Sequence, residues 1–164
     1  MTTADHDIRY TYVTDTSYLR QWLLHPDIAP WFPITTEKEL DDSVQCWIGF
    51  SRWSASLTAT VKHVPVGMGT LFLMPYKKVA HHCLFKVVVD PKWQRNGIGT
   101  SLIKNLKHLA KNYFHLEQMN TEVFEGNPIV KILESQGFNF FAKQDHYVKE
   151  GNLYKARLLY EAPL

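Results

Sequence analysis

The 164-residue chain has 18 Lys and Arg against 16 Asp and Glu, 45% hydrophobic residues and 21% charged ones. This is the balance of a folded domain with a sizeable core, and a formal charge of +2 with scattered lysines argues against a nucleic-acid-binding surface. Two cysteines, Cys46 and Cys83, are too few for a disulfide framework, and no stretch is apolar enough to span a membrane. Met1 to Asp7 is polar and lacks a signal-peptide core, so the expectation is one domain over residues 1–164, cytoplasmic and off the membrane.

Ile8 to Val13 reads as a first strand, and Thr14 to Thr16 supplies helix-start chemistry for a short stripe of Leu19, Trp22 and Leu23. Pro26 to Pro33 holds three prolines and two large aromatics, Trp31 and Phe32, and suits neither a helix nor a central strand. Thr36 and Glu39 form a capping box for a second helix from Glu37 to about Arg52. Alternation from Ser56 to Val64 predicts a half-buried strand, Pro65 a tight turn, and Gly67 to Met74 the hairpin partner.

Ala80 to Val89 is the fourth strand, closed by Asp90-Pro91. Its alternation puts His81, Cys83 and Phe85 on one face and His82, Leu84 and Lys86 on the other. Past Gly99 the period changes. Ile98, Leu102, Ile103, Leu106, Leu109, Ala110 and Tyr113 follow helical spacing, with Lys104, Lys107 and Lys111 on the wet side. A strand thus enters a glycine turn that opens a helix, and the first amides of that helix make an anion site that Gly97 and Gly99 leave approachable. Gln118 to Val123 adds a strand, Asn127-Pro128 caps a short helix from Ile129 to Ser135, and Gly137 stops it. Phe138 to Tyr147 and Leu153 to Tyr160 close the chain as a hairpin, and no internal repeat is visible.

Gln94-x-x-Gly97-x-Gly99 after a valine strand resembles the Q/R-x-x-G-x-G/A signature of the GNAT superfamily of N-acetyltransferases. It is neither the three-glycine dinucleotide fingerprint nor a phosphate loop ending in Gly-Lys-Ser/Thr. Glu125-Gly126-Asn127-Pro128, Ser135-Gln136-Gly137-Phe138 and the hairpin around Gly151 extend the resemblance from about Gly67 onward.

The resemblance implies an α/β fold with a mixed, mostly antiparallel sheet, helices on both faces, and fourth and fifth strands that splay apart. It implies acetyl-CoA as cosubstrate and no metal. Val87, Val88 and Val89 would pair with the pantetheine arm. Gln94, Arg95, Asn96, Gly97, Ile98, Gly99 and Thr100 would hold the pyrophosphate, and Asn127 would contact the cofactor. The reaction would be direct attack of a primary amine on the thioester, the acceptor being a small molecule, an amino acid or a protein N-terminus, in a monomer or homodimer.

Two customary catalytic side chains are missing, since a glutamate position holds Phe85 and a tyrosine position holds Leu133. His81 or Cys83 could line the acceptor gap beside Phe85; equally, His81 caps a strand end and Cys83 fills the core. Trp31 and Phe32 could wall an acceptor pocket or plug the core edge. Asp27, Glu37, Asp41 and Asp42 could attract a cationic amine or merely serve a helix N-terminus. A non-catalytic acyl-CoA-binding or sensory domain is the alternative from another class.

Overall fold

The computed structural model describes residues 5–164; the reading of Met1 to Ala4 as a polar start lies outside the described residues. The chain runs β1 (Asp7–Tyr10), α1 (Thr16–Leu24), α2 (Glu37–Gly49), β2 (Ser56–Val61), β3 (Val64–Leu73), β4 (His82–Val89), α3 (Ile98–Asn112), β5 (Gln118–Phe124), α4 (Ile129–Ser135), β6 (Asn139–Glu150) and β7 (Leu153–Pro163). This is the element order read from the sequence. The seven strands form one sheet in the order β1-β2-β3-β4-β5-β7-β6, antiparallel except for β4 and β5. No helix among the described residues is long and apolar enough to cross a membrane.

Each face of the sheet carries its own core. On one, α1 and α2 contribute Leu19, Trp22, Leu23, Leu40, Val44 and Trp47 against Met68 and Val88. On the other, Ile98, Leu102, Ile103 and Leu106 of α3 pack with Cys83, Phe85, Met119 and Phe138. Helix α3 lies close because β3 offers glycine beneath it. A Cβ on Gly69 would come within 2.6 Å of Leu106 Cδ1.

Several local expectations give way to tertiary contacts. Strand β1 ends at Tyr10 because the Asp15 carboxylate draws the chain into a 3-10 turn, accepting from the Tyr12 amide at 2.9 Å. Burial opposes the charge of Asp15, yet bonds from Arg9, the Tyr12 amide and Thr58 outweigh it and hold the carboxyl below its usual range. The same side chains explain why β2 is buried on both faces rather than half-buried. Thr11, Ser56, Thr58 and Thr70 bond to one another, and Thr58 to Asp15, instead of facing water.

The β2–β3 turn falls at Lys62 and His63, not at Pro65. Both residues have positive φ, 49° and 68°, as a two-residue type I′ connection requires. Pro65 lies inside β3 opposite Thr60, at a bulge where its missing amide costs no ladder bond. Helix α2 stops at Gly49 and continues as a 3-10 turn, which brings Phe50 onto Phe72 at 5.4 Å. Tyr113 is exposed, contrary to its place in the helical stripe, because α3 ends at Asn112 and Phe114 turns inward instead. Lys107 is also drawn off the wet side, donating to the Gln136 carbonyl at the end of α4.

Candidate active site

Strands β4 and β5 pair only at His82↔Gln118, Cys83↔Met119 and Leu84↔Asn120. Beyond that, β4 stays with β3 as far as Val89, while β5 stays with β7 as far as Phe124. The sheet therefore forks. At the vertex the Thr121 hydroxyl donates to the Phe85 carbonyl at 2.9 Å. Past it, the β5-facing edge of Val87 to Val89 has no strand partner among the described residues, so apart from the Val89 carbonyl, which accepts from Gln94, its backbone is open to an extended ligand.

The loop that follows is held by its own side chains. Asp90 Oδ1 accepts from the Lys92 amide at 2.9 Å, and Asp90 Oδ2 accepts from Trp22 Nε1 of α1 at 3.3 Å. Gln94 Nε2 reaches back to the Val89 carbonyl at 3.3 Å, and Asn96 Nδ2 donates to the carbonyls of Trp93 and Gln94. Gln94 and Asn96 thus shape the loop, and Arg95 follows it with a φ of 64°. Gly97 takes the left-handed conformation that ends the loop, with φ 79°, and α3 starts at Ile98. Its first helical bond runs from the Ser101 amide to the Gly97 carbonyl. The amides of Ile98, Gly99 and Thr100 are left open at a helix N-terminus, which fits an anionic pyrophosphate. Gly99 is different in kind: a Cβ there would meet Ile132 Cδ1 at 3.4 Å and Val89 Cγ2 at 3.7 Å, so its hydrogen faces α4 and β4.

The open end of the fork is a gap lined by Trp31, Lys86, Val87, Glu122, Phe124 and Asn127, among others. Trp31 lies over Gly126, with Cη2 3.8 Å from where a Cβ would sit, and Lys155 Nζ is 5.1 Å from its ring. Phe32 also lines the gap and packs on Trp47 of the α1–α2 core, so it joins that core to the gap, whereas Trp31 lines the gap without belonging to either core. The Asn127 Oδ1 accepts from the Ile129 amide at 3.0 Å; Asn127 stands one residue ahead of Pro128, which takes the N-cap position of α4.

The other candidates lie elsewhere. His81 is exposed at the closed end of the fork, its ring against His82 at 4.8 Å and its carbonyl bonded to the Glu117 amide. Cys83 is 0% exposed, and burial pushes its thiol up to about 12. Phe85 is 1% exposed and packs on Phe138 at 5.1 Å. Alternation placed Cys83 and Phe85 on one face, and that face is the one α3 covers, so neither lines the gap. Leu133 is likewise fully buried. Glu37 and Asp41 pair with Arg20, Asp42 pairs with Lys38, and Asp27 sits beside His25, so these carboxylates serve the helix surface. Among the described residues no three His, Cys, Asp or Glu side chains cluster as a metal would need.

Sequence reasoning passed over Thr121, Glu122 and Arg157. Arg157 Nη1 of β7 donates to Glu122 Oε2 of β5 at 2.7 Å and sets that carboxylate at the gap. Only strand order reveals it, because 35 residues separate the two.

The model of the Acetyltransferase (GNAT) family matches residues 16–138. The L-amino acid N-acetyltransferase AaaT of Escherichia coli (strain K12) is 24% identical over 83 residues, half of this chain and 51% of that protein. Two solved structures share the fold nearly end to end. The ribosomal-protein-alanine N-acetyltransferase of Brucella melitensis has a TM-score of 0.81 at 19% identity, over 96% of this chain and 99% of that one. The yncA protein of Salmonella typhimurium, solved with its cofactor acetyl-CoA, has a TM-score of 0.82 at 14% identity, over 98% and 95%. With its forked β4–β5 pair and its glycine loop before α3, this chain belongs to the acetyltransferase (GNAT) family.

Proposed function

We propose that the chain works as a single domain that transfers an acetyl group from acetyl-CoA to a primary amine, both substrates being bound together. The observation that carries this reading is the fork. An unpaired β4 edge ends beside the open amides of α3, so one ligand can lie along the strand with its charged end at the helix. Ile98, Gly99 and Thr100 would hold the pyrophosphate through backbone amides, with Gln94 and Asn96 shaping the loop and Arg95 at its crest. Val87 to Val89 would hold the pantetheine arm, and Asn127 stands at the far side of the gap. The solved relative containing acetyl-CoA supports the choice of ligand.

When bound, acetyl-CoA supplies a thioester from which a neutral amine takes the acetyl group, forming a C–N bond as the C–S bond breaks and the thiol leaves. The gap contributes chiefly by holding the amine against that carbonyl. Neither Cys83 nor Phe85 reaches it, so no acyl-cysteine intermediate is invoked.

Calorimetry with acetyl-CoA, followed by thiol release across a panel of primary amines, tests the reading. Micromolar binding and release with at least one amine are expected. Absence of binding overturns it. The second reading, a binding domain without turnover, draws on the burial of Phe85 and Leu133 at the two customary acid–base positions; binding with no release from any amine would select it.

A further inference from the structure

We propose, resting on the transferase reading above, that the acceptor amine also carries a carboxylate, as a free α-amino acid does, and that Lys86 and Glu122 select it from opposite arms of the fork. The register places them there. His82↔Gln118 and Leu84↔Asn120 are paired, and two residues further along each strand come Lys86 and Glu122 on the same sheet face. They are the first side chains of that face to oppose each other after pairing stops, and both line the gap.

Glu122 is a held carboxylate. Arg157 Nη1 engages Oε2 alone, at 2.7 Å, and no described residue bonds Oε1. Arg157 is fixed in turn: Nη2 donates to Gln144 Oε1 at 2.5 Å, and the Tyr147 ring lies 4.1 Å from Cζ. Tyr147 reaches that position through an irregularity in β6, where pairing skips from Gln144 to Val148 and His146 takes a φ of 57°. A bulge beside a site re-aims a side chain, and here it covers the arginine that presents Glu122. Oε1 is left to accept from an ammonium group.

The cations around the gap decide what else the acceptor carries. Arg157 is taken by Glu122, and Lys143 by Glu125 at 3.2 Å and Asp145 at 3.6 Å, which leaves one carboxylate more than these two cations balance. Lys86 and Lys155 have no carboxylate partner among the described residues; their ammonium groups lie over Phe72 and Trp31. The surplus is positive. It repels a polyamine or a lysine-rich peptide and attracts an acceptor with its own carboxylate. A peptide N-terminus could use Glu122 but would leave Lys86 unpaired.

The experiment compares thiol release from free amino acids with release from their amides, side chain for side chain, alongside spermidine and a lysine-rich peptide. Wild type is expected to prefer acid over amide by about fivefold in kcat/KM, the upper end for one partly exposed ion pair. Lys86→Met should collapse that ratio through the acceptor KM, and Lys86→Arg should restore it. Glu122→Gln should raise KM for acids and amides together. Amides or polyamines used as well as the acids, or an acid-to-amide ratio unmoved by Lys86→Met, would overturn the selection while leaving the transferase reading standing. Thiol release from no amine at all would overturn the transferase reading and this one with it.

Discussion

The Thr121 hydroxyl donates to the Phe85 carbonyl at 2.9 Å, at the point where β4 and β5 cease to pair. One side chain thus satisfies a buried carbonyl that the ladder abandons, and the fork can begin without an orphaned acceptor. Thr121→Val keeps the shape and removes the donor. The expected loss is about 1–3 kcal/mol of stability, the cost of an unsatisfied buried carbonyl. Urea unfolding of the two proteins measures it; equal midpoints would mean that the vertex does not depend on this bond.

Gly97 and Gly99 differ in their physical demands. Gly97 has a φ of 79°, where any side chain is strained, so Gly97→Ala should cost about 1–2 kcal/mol and distort the loop. Gly99→Ala meets only ordinary contacts, so its stability should stay within about 0.5 kcal/mol of wild type. Thermal unfolding with and without acetyl-CoA separates them. The alanine at 97 should lose both stability and ligand-induced stabilisation, and the one at 99 should keep both. A longer side chain at 99 would wedge α3 from α4 and would not report on binding alone.

Cys83 is held as a neutral thiol. Its folded-state pKa is raised from 9.0 to about 12 by burial, so the folded protein keeps a proton that the unfolded chain releases. The stability this provides is full below pH 9.0 and is lost as pH rises toward about 12. Denaturant titrations across that window should show wild type losing stability more steeply than Cys83→Ala. Under native conditions iodoacetamide should label Cys46, which is exposed, and spare Cys83. Rapid native labelling of Cys83 would contradict its burial.

Trp31 rests on Gly126 beneath Lys155 and belongs to neither core. Trp31→Ala should therefore leave the melting temperature within a few degrees of wild type and raise the acceptor KM about tenfold, with a smaller effect on that of acetyl-CoA. Steady-state kinetics with each substrate varied in turn decides it. A large drop in melting temperature would return Trp31 to the core.

What the chain reveals before folding is what neighbours in sequence decide. The Thr36–Glu39 capping box, the Asn127 side-chain bond ahead of α4, the helical stripe of α3 up to Ala110 and the glycine loop all depend on residues a few positions apart, and each is present in the structure. The order of elements follows from them. Local alternation also grouped Cys83 with Phe85, but periodicity says only that two side chains share a face. Which face is covered depended on where α3 docked, and Gly69 and Leu106 settled that from 37 positions apart. The gap is still less local. Its charged pair faces across two strands that stop bonding, and Glu122 is set by an arginine on β7, a strand inserted between β5 and β6. Strand insertion and the fork are global solutions to burying both faces of one sheet, and only the folded chain contains them.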